Sequence, residues 1–321
     1  MTHVEEDEKE EVAESSEEDH SSDESESDEG EKEYRAELEE GDSEDDELAS
    51  LMGGGGGGWQ LASRAATLPK REVKVWNVGT VGQRKKNAIP PKPEGATRFV
   101  CISDTHNRHR MLELPAGDVL LHSGDFSLSC KEKELVDFTE WLHEQPYTHK
   151  VIVAGNHDVL LHSEFYERHH WRYHTEKIER HLELKQRLRS VCTYLEDELC
   201  EINGIKIWGS PWVPYYHDWA FMPPDDAGLK AAWAKVPAGV DVLITHGPPH
   251  KVRDKTYQGA NAGCPLLADA VFKRIKPAVH CFGHIHTGYG VVKQRDSTFI
   301  NAAIVNSVYK VANNAVVFDI K

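Results

Sequence analysis

Five short apolar runs, each followed by a cluster of polar residues, dominate the chain from residue 97 onward. With their polar ends they are RFVCISDTH (98–106), DVLLHSGD (118–125), KVIVAGNHD (150–158), VDVLITHG (240–247) and AVHCFGHIH (278–286). Continuous apolar runs are typical of strands covered on both faces. The pattern therefore predicts buried strands whose following loops carry the polar side chains.

Helical patterns separate these strands. Between residues 130 and 146 the apolar side chains fall on one helical face, and Pro146 ends the helix. Further helices are predicted over 160–190, 227–236 and 269–277, with a hairpin at Asn203-Gly204. The segments YGVVK, TFINAA and AVVFDI are predicted as closing strands. Alternation of strands and helices indicates an α/β fold, in which the loops at the strand carboxyl ends carry the chemistry.

The first 50 residues differ sharply from this pattern. They contain 25 acidic and three basic residues, whereas the remaining 271 contain 29 acidic and 34 basic residues. Such an acidic segment has too little apolar surface to offset the entropy of ordering it. We predict a disordered acidic tail and glycine linker over 1–58, a basic, proline-containing linker over 59–95, and a folded domain over 96–321.

Composition also excludes several classes of protein. The modest positive charge of the body disfavours long nucleic acid as a partner. No run approaches the about 20 apolar residues of a membrane-spanning helix, and the acidic first 30 residues are unlike a secretory or transit peptide. Six scattered cysteines indicate reduced thiols. These features predict a cytoplasmic protein, with the nucleus as the alternative, and leave the oligomeric state open.

The polar ends of the five runs share one chemistry. They present Asp104, His106, Asp125, Asn156, His157, Asp158, His246, His284 and His286. Oxygen and imidazole donors without cysteine suit Mn²⁺, Fe or Zn²⁺. Because so many ligands exceed the needs of one ion, we predict two ions that share a carboxylate. Two adjacent divalent ions can stabilise both the attacking and the leaving oxygen of a phosphoryl displacement.

The blocks DTH, GD, GNHD, HG and GHIH resemble the signature of the calcineurin-like metallophosphoesterase superfamily. The longer segments GSPWVPYYHDWAF, THGPP and GCPLLADAVFKRIKPAVHCFGHIHTGYG are similar to the metallophosphoesterase-domain-containing (MPPED) family of phosphodiesterases. The resemblance extends over roughly 97–320. It implies a four-layer αββα sandwich with a two-metal site at the edge of the sheets.

The resemblance also assigns roles to residues. It implies that the first metal is held by Asp104, His106, Asp125 and His286. It implies that the second is held by Asp125, Asn156, His246 and His284. His157 is expected to face the substrate phosphate, and Asp158 to orient His157. A hydroxide bridging the two ions is expected to attack phosphorus. Mn²⁺ is the expected metal, with Fe or Zn²⁺ as alternatives.

The expected function is hydrolysis of cyclic nucleotides or similar small phosphodiesters. Some members of the family have glycine at the position of His284, so its presence here favours an enzyme. The Ser/Thr phosphatases have an arginine shortly after the aspartate that matches Asp125, and the segment GDFSLSC lacks one. The alternatives are a nucleotide-binding scaffold or sensor with little turnover and, disfavoured by charge, a nuclease.

Aromatic residues are candidates for contact with the substrate. Trp212, Tyr215 and Trp219, in the segment SPWVPYYHDWAF, could stack on a nucleobase, and packing in the core is the alternative.

Overall fold

The structure, a computed structural model, describes residues 71–76, 79–80, 89–173 and 179–321. The predictions for the tail over 1–58 and for most of the linker over 59–95 concern residues outside these ranges. The described strands are β1 (Val73–Trp76), β2 (Thr97–Ile102), β3 (Val119–His122), β4 (His149–Ile152), β5 (Thr193–Tyr194), β6 (Glu198–Ile202), β7 (Ile205–Ser210), β8 (Val242–Thr245), β9 (Val279–Phe282), β10 (Gly290–Gln294), β11 (Ser297–Asn301) and β12 (Val316–Ile320). The described α-helices are α1 (Glu132–Glu144), α2 (Ser163–His169), α3 (Arg180–Arg189), α4 (Asp226–Lys235) and α5 (Pro265–Ala270), the last continued by a π-helical turn at Val271–Ile275.

These strands form two six-stranded sheets. The first has the order β1-β12-β2-β3-β4-β5, and the second has the order β10-β11-β9-β8-β7-β6. Strands β2 to β5 are parallel, as are β7, β8, β9 and β11. Every strand that precedes one of the five polar clusters is therefore in a parallel part of a sheet, where carboxyl ends share one edge.

Alternation along the strands builds three layers of core. In β2, Phe99 packs between the two sheets, whereas Val100 packs outward with the apolar face of α1. On the other side, Phe282 of β9 packs outward with Trp233 of α4. Helices thus cover the outer face of each sheet, because every central strand is apolar on both sides. The four-layer αββα sandwich is confirmed.

Local sequence signals agree with several element boundaries. Helix α1 buries Leu135, Phe138, Trp141 and Leu142, as its periodicity predicts. It ends at Glu144, and Gln145 is already extended, because the residue before a proline disfavours helical geometry. Asn203 and Gly204 both have positive φ, 52° and 73°, which the tight hairpin between β6 and β7 requires.

The segment predicted as a linker over 59–95 contributes a strand. Residues Val73–Trp76 pair antiparallel with β12, which lies between β1 and β2. Trp76 donates from Nε1 to Asp319 at 3.0 Å, and Arg98 bonds to both oxygens of the same carboxylate at 2.8 Å. The prediction missed β1 because a four-residue strand finds its partner nearly 250 positions away.

The carboxyl ends of β2, β3 and β4 in one sheet lie opposite those of β8 and β9 in the other. This edge holds the five polar clusters. Among the described residues, no helix has both the length and the apolar composition that crossing a bilayer requires.

Candidate metal centre

Three predicted ligands meet at the ends of β2 and β9. Nε2 of His286 lies 3.3 Å from Oδ1 of Asp104, and Nε2 of His106 lies 4.0 Å from the same oxygen. One ligand atom from each of these side chains lies within 4.8 Å of the others. Asp104 and His106 are fully buried, and the His286 side chain is 13% exposed. This first group can hold one metal ion at the floor of an accessible site.

A second group forms around Asp125. Its Oδ2 lies 3.2 Å from Nε2 of His246, and ligand atoms of Asp125, His246 and His284 lie within 4.8 Å of one another. Asn156 joins them, because its Oδ1 lies 3.0 Å from Nε2 of His246. The same Oδ2 of Asp125 also lies 3.8 Å from Nε2 of His106 in the first group. Asp125 therefore reaches both groups.

Backbone carbonyls fix three imidazoles in one tautomer. The Nδ1–H groups donate to carbonyl oxygens that can only accept, so in the neutral imidazole the proton stays on Nδ1 and the Nε2 lone pair faces inward. These bonds join His106 to Ser127 (2.9 Å), His246 to Ser123 (2.9 Å) and His286 to Asn306 (3.1 Å). Each imidazole is thereby oriented as a metal ligand.

The inward lone pairs face other acceptors at short range. Nε2 of His106 lies 3.3 Å from Nε2 of His286, and Nε2 of His246 faces oxygens of both Asp125 and Asn156. Acceptors repel each other at these distances unless a cation or a proton lies between them. A divalent ion turns each lone pair into a ligand, and the mixed imidazole, carboxylate and amide set suits Mn²⁺, Fe or Zn²⁺. The donor set of this structure fits divalent cations.

Electrostatics favour a cation here as well. Burial lowers the pKa of the His106 imidazole to about 4 and that of His284 to about 3, so both present neutral nitrogen ligands. Burial also opposes protonation of His246, yet the charge and hydrogen bond of Asp125 raise its pKa to about 9. Burial raises the pKa of Asp125 itself, but His246 and His157 hold it well below the usual value. Positive charge is thus stabilised beside Asp125 despite complete burial.

Four predicted ligands have positive φ angles, which residues other than glycine rarely adopt. The φ angles are 51° for Asp104, 39° for His106, 56° for Asp125 and 64° for His284. Hydrogen bonds hold the backbone in these strained conformations. The His284 N–H donates to both carboxylate oxygens of Asp104 at 3.0 Å, and the Asp104 N–H donates to the Gly124 carbonyl at 2.9 Å. Strain of this kind persists where surrounding contacts over-determine it, and it clusters at functional sites.

Two glycines allow the backbone to approach the carboxylates. A Cβ at Gly155 would lie 2.2 Å from Oδ1 of Asp125, and one at Gly283 would lie 1.9 Å from Oδ2 of Asp104. Only glycine fits at these positions of GNHD and GHIH, because any side chain would displace the carboxylate oxygens of Asp125 and Asp104.

The structure corrects the role predicted for Asp158. This fully buried carboxylate accepts from the N–H groups of Asp125 (2.8 Å) and Gly155 (2.9 Å), and from N–H and O–H of Ser127 (3.2 and 2.7 Å). It does not orient the His157 ring, whose Nδ1–H donates to Leu128 O at 2.6 Å instead. Burial and the charge of Asp125 raise the pKa of Asp158 to about 7. Asp158 holds two ligand-bearing loops together, a role set by the loop conformation.

His157 lies at the open side of the site. Its ring centroid is 4.9 Å from that of His106, and a ligand atom of His157 lies within 4.8 Å of those of Asp125 and His106. The Leu128 carbonyl keeps the proton on Nδ1, so Nε2 is the free nitrogen. The residue is half-buried, which leaves this ring accessible to a ligand.

The predicted aromatic candidates have different surroundings. Trp212 is partly buried and packs against the core, with Nε1 donating to Asp197 at 3.0 Å and its ring 5.7 Å from Phe221. Tyr215 is 56% exposed. The ring of Trp219 lies 4.4 Å from that of His157 at a tilt of 36°, so Trp219 is the member of the three that borders the site.

Sequence reasoning missed two residues at the site. Asn306 accepts the Nδ1 proton of His286 through its backbone carbonyl, and the ring of Tyr309 lies 4.8 Å from His106. Both lie in the segment NSVYK after the strand TFINAA, a loop that carries no ligand block. An aromatic residue beside loop-forming residues was the one available signal.

Comparison with known proteins gives a consistent picture. A model of the calcineurin-like phosphoesterase family matches residues 97–288. The chain is 39% identical over 239 residues to the human protein named metallophosphoesterase domain-containing protein 1, an alignment covering 72% of this chain and 73% of that protein. It is 38% identical over 238 residues to UPF0046 protein C25E10.12 of Caenorhabditis elegans, covering 71% of this chain and 82% of that protein.

Proposed function

The chain belongs to the calcineurin-like phosphoesterase family and is a metal-dependent phosphoesterase, and we propose that it hydrolyses small phosphodiesters, cyclic nucleotides among them, with two divalent cations. The observation that carries the proposal is the position of Asp125, whose Oδ2 lies 3.2 Å from His246 and 3.8 Å from His106. A carboxylate between two sets of inward-facing nitrogen donors supports a pair of ions.

The residues of the two groups would hold these ions. Asp104, His106, Asp125 and His286 would bind the first, and Asp125, Asn156, His246 and His284 the second. When bound, divalent cations polarise phosphoryl oxygens and make a water molecule acidic enough to attack phosphorus near neutral pH. Mn²⁺ is the metal we propose, with Fe or Zn²⁺ as alternatives.

His157 supplies the proton chemistry in this proposal. Its Nδ1–H is engaged by the Leu128 carbonyl, so a second proton would be carried on Nε2. A ring nitrogen of His157 lies within 4.8 Å of ligand atoms of Asp125 and His106. From there the imidazolium can stabilise charge on the phosphoryl oxygens or protonate the departing oxygen. Asp158 contributes indirectly, because it fixes the backbone of Asp125 and Gly155.

A metal-reconstitution experiment tests the proposal. Full-length protein is stripped with a chelator, reloaded with Mn²⁺, and assayed with bis-p-nitrophenyl phosphate while bound metal is counted. We expect two ions per chain, no hydrolysis without metal, and none from Asp125→Asn. Asp269→Asn, which removes a 57% exposed carboxylate paired with Lys273, serves as the matched control. Undiminished hydrolysis by metal-free protein, or a single ion per active chain, would contradict the proposal.

The class of substrate is tested separately. A panel of 2′,3′- and 3′,5′-cyclic nucleotides, incubated with the Mn²⁺-loaded protein, shows which ring is opened and which bond breaks. We expect turnover of at least one of these diesters. Tight binding of nucleotides without turnover would instead favour the alternative of a nucleotide sensor.

A further inference from the structure

An aromatic side chain that no ligand motif marks, Tyr309, stands over two imidazoles of the first metal group. Its ring centroid lies 4.8 Å from that of His106 and 5.6 Å from that of His286, with interplanar angles of 78° and 90°. The ring is thus nearly perpendicular to both imidazoles. Tyr309 remains 37% exposed, so part of its side chain is accessible to solvent.

The backbone of Tyr309 is in a strained conformation. Its φ is 56°, a region that bulky residues rarely adopt. Asn306 maintains the turn: its side-chain oxygen accepts from the N–H groups of Val308 and Lys310, both at 3.1 Å, and its carbonyl accepts from Tyr309 at 2.9 Å. The same carbonyl accepts the Nδ1 proton of His286. The turn that presents Tyr309 is therefore joined directly to a predicted metal ligand.

A second aromatic ring borders the site next to His157. The indole of Trp219 lies 4.4 Å from the His157 ring, and the Tyr309 ring lies 6.5 Å from it. The loop that carries Trp219 is tied down by Arg172, which donates to Asp218 at 3.0 Å, and by His162, which accepts from the Phe221 N–H at 2.9 Å. Two positioned aromatic rings thus border the imidazole that is expected to face the substrate.

Core packing does not account for Tyr309. Tyr166 and Tyr194, which belong to the core, are at most 2% exposed. A strained and half-exposed tyrosine against ligand imidazoles is arranged to meet something from solvent. Aromatic faces accept any flat ring, whereas they gain little from a small aliphatic group.

We propose that Tyr309 and Trp219 are specificity-determining residues that hold a flat aromatic substituent of the phosphoester, such as an aryl group or a nucleobase, beside the metal centre. The inference rests on the proposed function and narrows its substrates to esters that carry an aromatic ring close to phosphorus. Tyr309 makes the larger contribution, because it borders the predicted ligands themselves.

Binding measurements test this without requiring turnover. Phenyl phosphate and methyl phosphate present the same phosphate group and differ in the ring, so the ratio of their Kd values isolates its contribution. Calorimetry on Mn²⁺-loaded full-length protein should give at least a tenfold preference for phenyl phosphate. Tyr309→Ala should reduce the preference to threefold or less through weaker phenyl phosphate binding, Trp219→Ala should reduce it partly, and Tyr309→Phe should retain it.

The controls distinguish specificity from structural support. Tyr257→Ala removes another tyrosine, 78% exposed, and should leave both Kd values unchanged. If Tyr309→Ala does not fold, Tyr309→Leu, which keeps bulk without a ring, gives the same comparison. An unchanged ratio, no preference in the wild type, or a parallel loss of methyl phosphate and Mn²⁺ binding in Tyr309→Ala would overturn the inference. Failure to hydrolyse any diester would contradict the proposed function and leave this comparison valid.

Discussion

The Nε2 atoms of His106 and His286 lie 3.3 Å apart, although both imidazoles donate their Nδ1 protons to backbone carbonyls. His106 follows β2 of one sheet, and His286 follows β9 of the other. Two lone pairs from opposite sheets are thus held close together. A cation between them replaces repulsion by coordination, so metal binding should stabilise the folded chain as well as prepare it for chemistry.

The first prediction concerns thermal stability. At 100 times the Kd, a ligand of the folded state adds about 2.7 kcal/mol to the free energy of unfolding. For a domain of this size that corresponds to a rise in Tm of about 5–10 °C. We expect Mn²⁺ to produce this rise in the wild type and in Asp269→Asn, and at most a small one in Asp125→Asn. Calorimetry with and without chelator measures it, and an equal rise in Asp125→Asn would show that the ions bind elsewhere.

The second prediction separates metal binding from proton transfer. His157→Gln should keep two ions per chain but lower kcat about 100-fold for diesters with an alkoxide leaving group, since general acid catalysis contributes at least this much. The loss should be much smaller with p-nitrophenolate, which departs without protonation. The exposed residue His143, replaced by glutamine, is the control. Equal losses with both leaving groups would indicate that His157 stabilises charge and does not donate a proton.

The third prediction concerns Asp158, which bonds to the backbone of both Asp125 and Gly155. In Asp158→Asn one acceptor oxygen becomes an amide donor that faces N–H groups. We expect unfolding free energy to fall by about 1–3 kcal/mol and Mn²⁺ affinity to fall about 10- to 100-fold. Asp118→Asn is matched to it, because Asp118 accepts from Arg98 N–H at 2.8 Å at the opposite end of the sheet. That variant should lose stability but bind Mn²⁺ normally, and normal affinity in Asp158→Asn would refute the proposed clamp.

The fourth prediction is a pH dependence from His280. Burial lowers the pKa of this imidazole to about 3, and its Nε2 lies 2.8 Å from the Thr245 hydroxyl, which itself donates to Gly247. The unfolded chain binds this proton near pH 6.5, whereas the folded chain resists it. The stabilisation is therefore complete above pH 6.5 and is lost as pH falls toward 3, by up to about 1.4 kcal/mol per pH unit.

Urea unfolding of metal-free protein between pH 7 and pH 4 measures this effect. His280→Gln can keep a hydrogen bond to Thr245 but does not titrate, so its stability should fall with a slope smaller by about one proton. In the control variant His143→Gln, which replaces an exposed residue, the free energy of unfolding should change with pH by the same slope as in the wild type. Identical slopes for His280→Gln and the wild type would contradict the prediction.

The alternation of buried strands and helices, and the position of the polar side chains after the strands, could be predicted from the sequence because both follow from local rules. Runs such as VLLH and VHCF are apolar on both faces, and parallel strands place their carboxyl ends together. Those two facts bring Asp104 and Asp125 to one edge of the first sheet, and His246 and His284 to one edge of the second, without knowledge of the path between them. The family resemblance added the four-layer stacking of the two sheets and the division of the predicted ligands into two groups.

The parts that could not be predicted depend on the conformation of loops. Asp158 adjoins His157 in sequence, yet its carboxylate turns inward to backbone N–H groups. Tyr309 reaches the site through a turn with positive φ, a geometry that the letters NSVYK do not specify. The partner of β1 depends on pairing across nearly the whole domain, which periodicity within one segment cannot reveal.

The stacked rings of Phe99 and Phe318, 4.8 Å apart, lie in the apolar layer between the two sheets. Both groups of predicted ligands contain residues from both sheets, so the thickness of this layer sets the distance between the side chains that would hold each proposed ion. A substitution among these interior side chains can therefore abolish activity although every ligand residue is unchanged. Variants of this buried layer should be assessed by their metal content, because their sequences would still contain every predicted ligand.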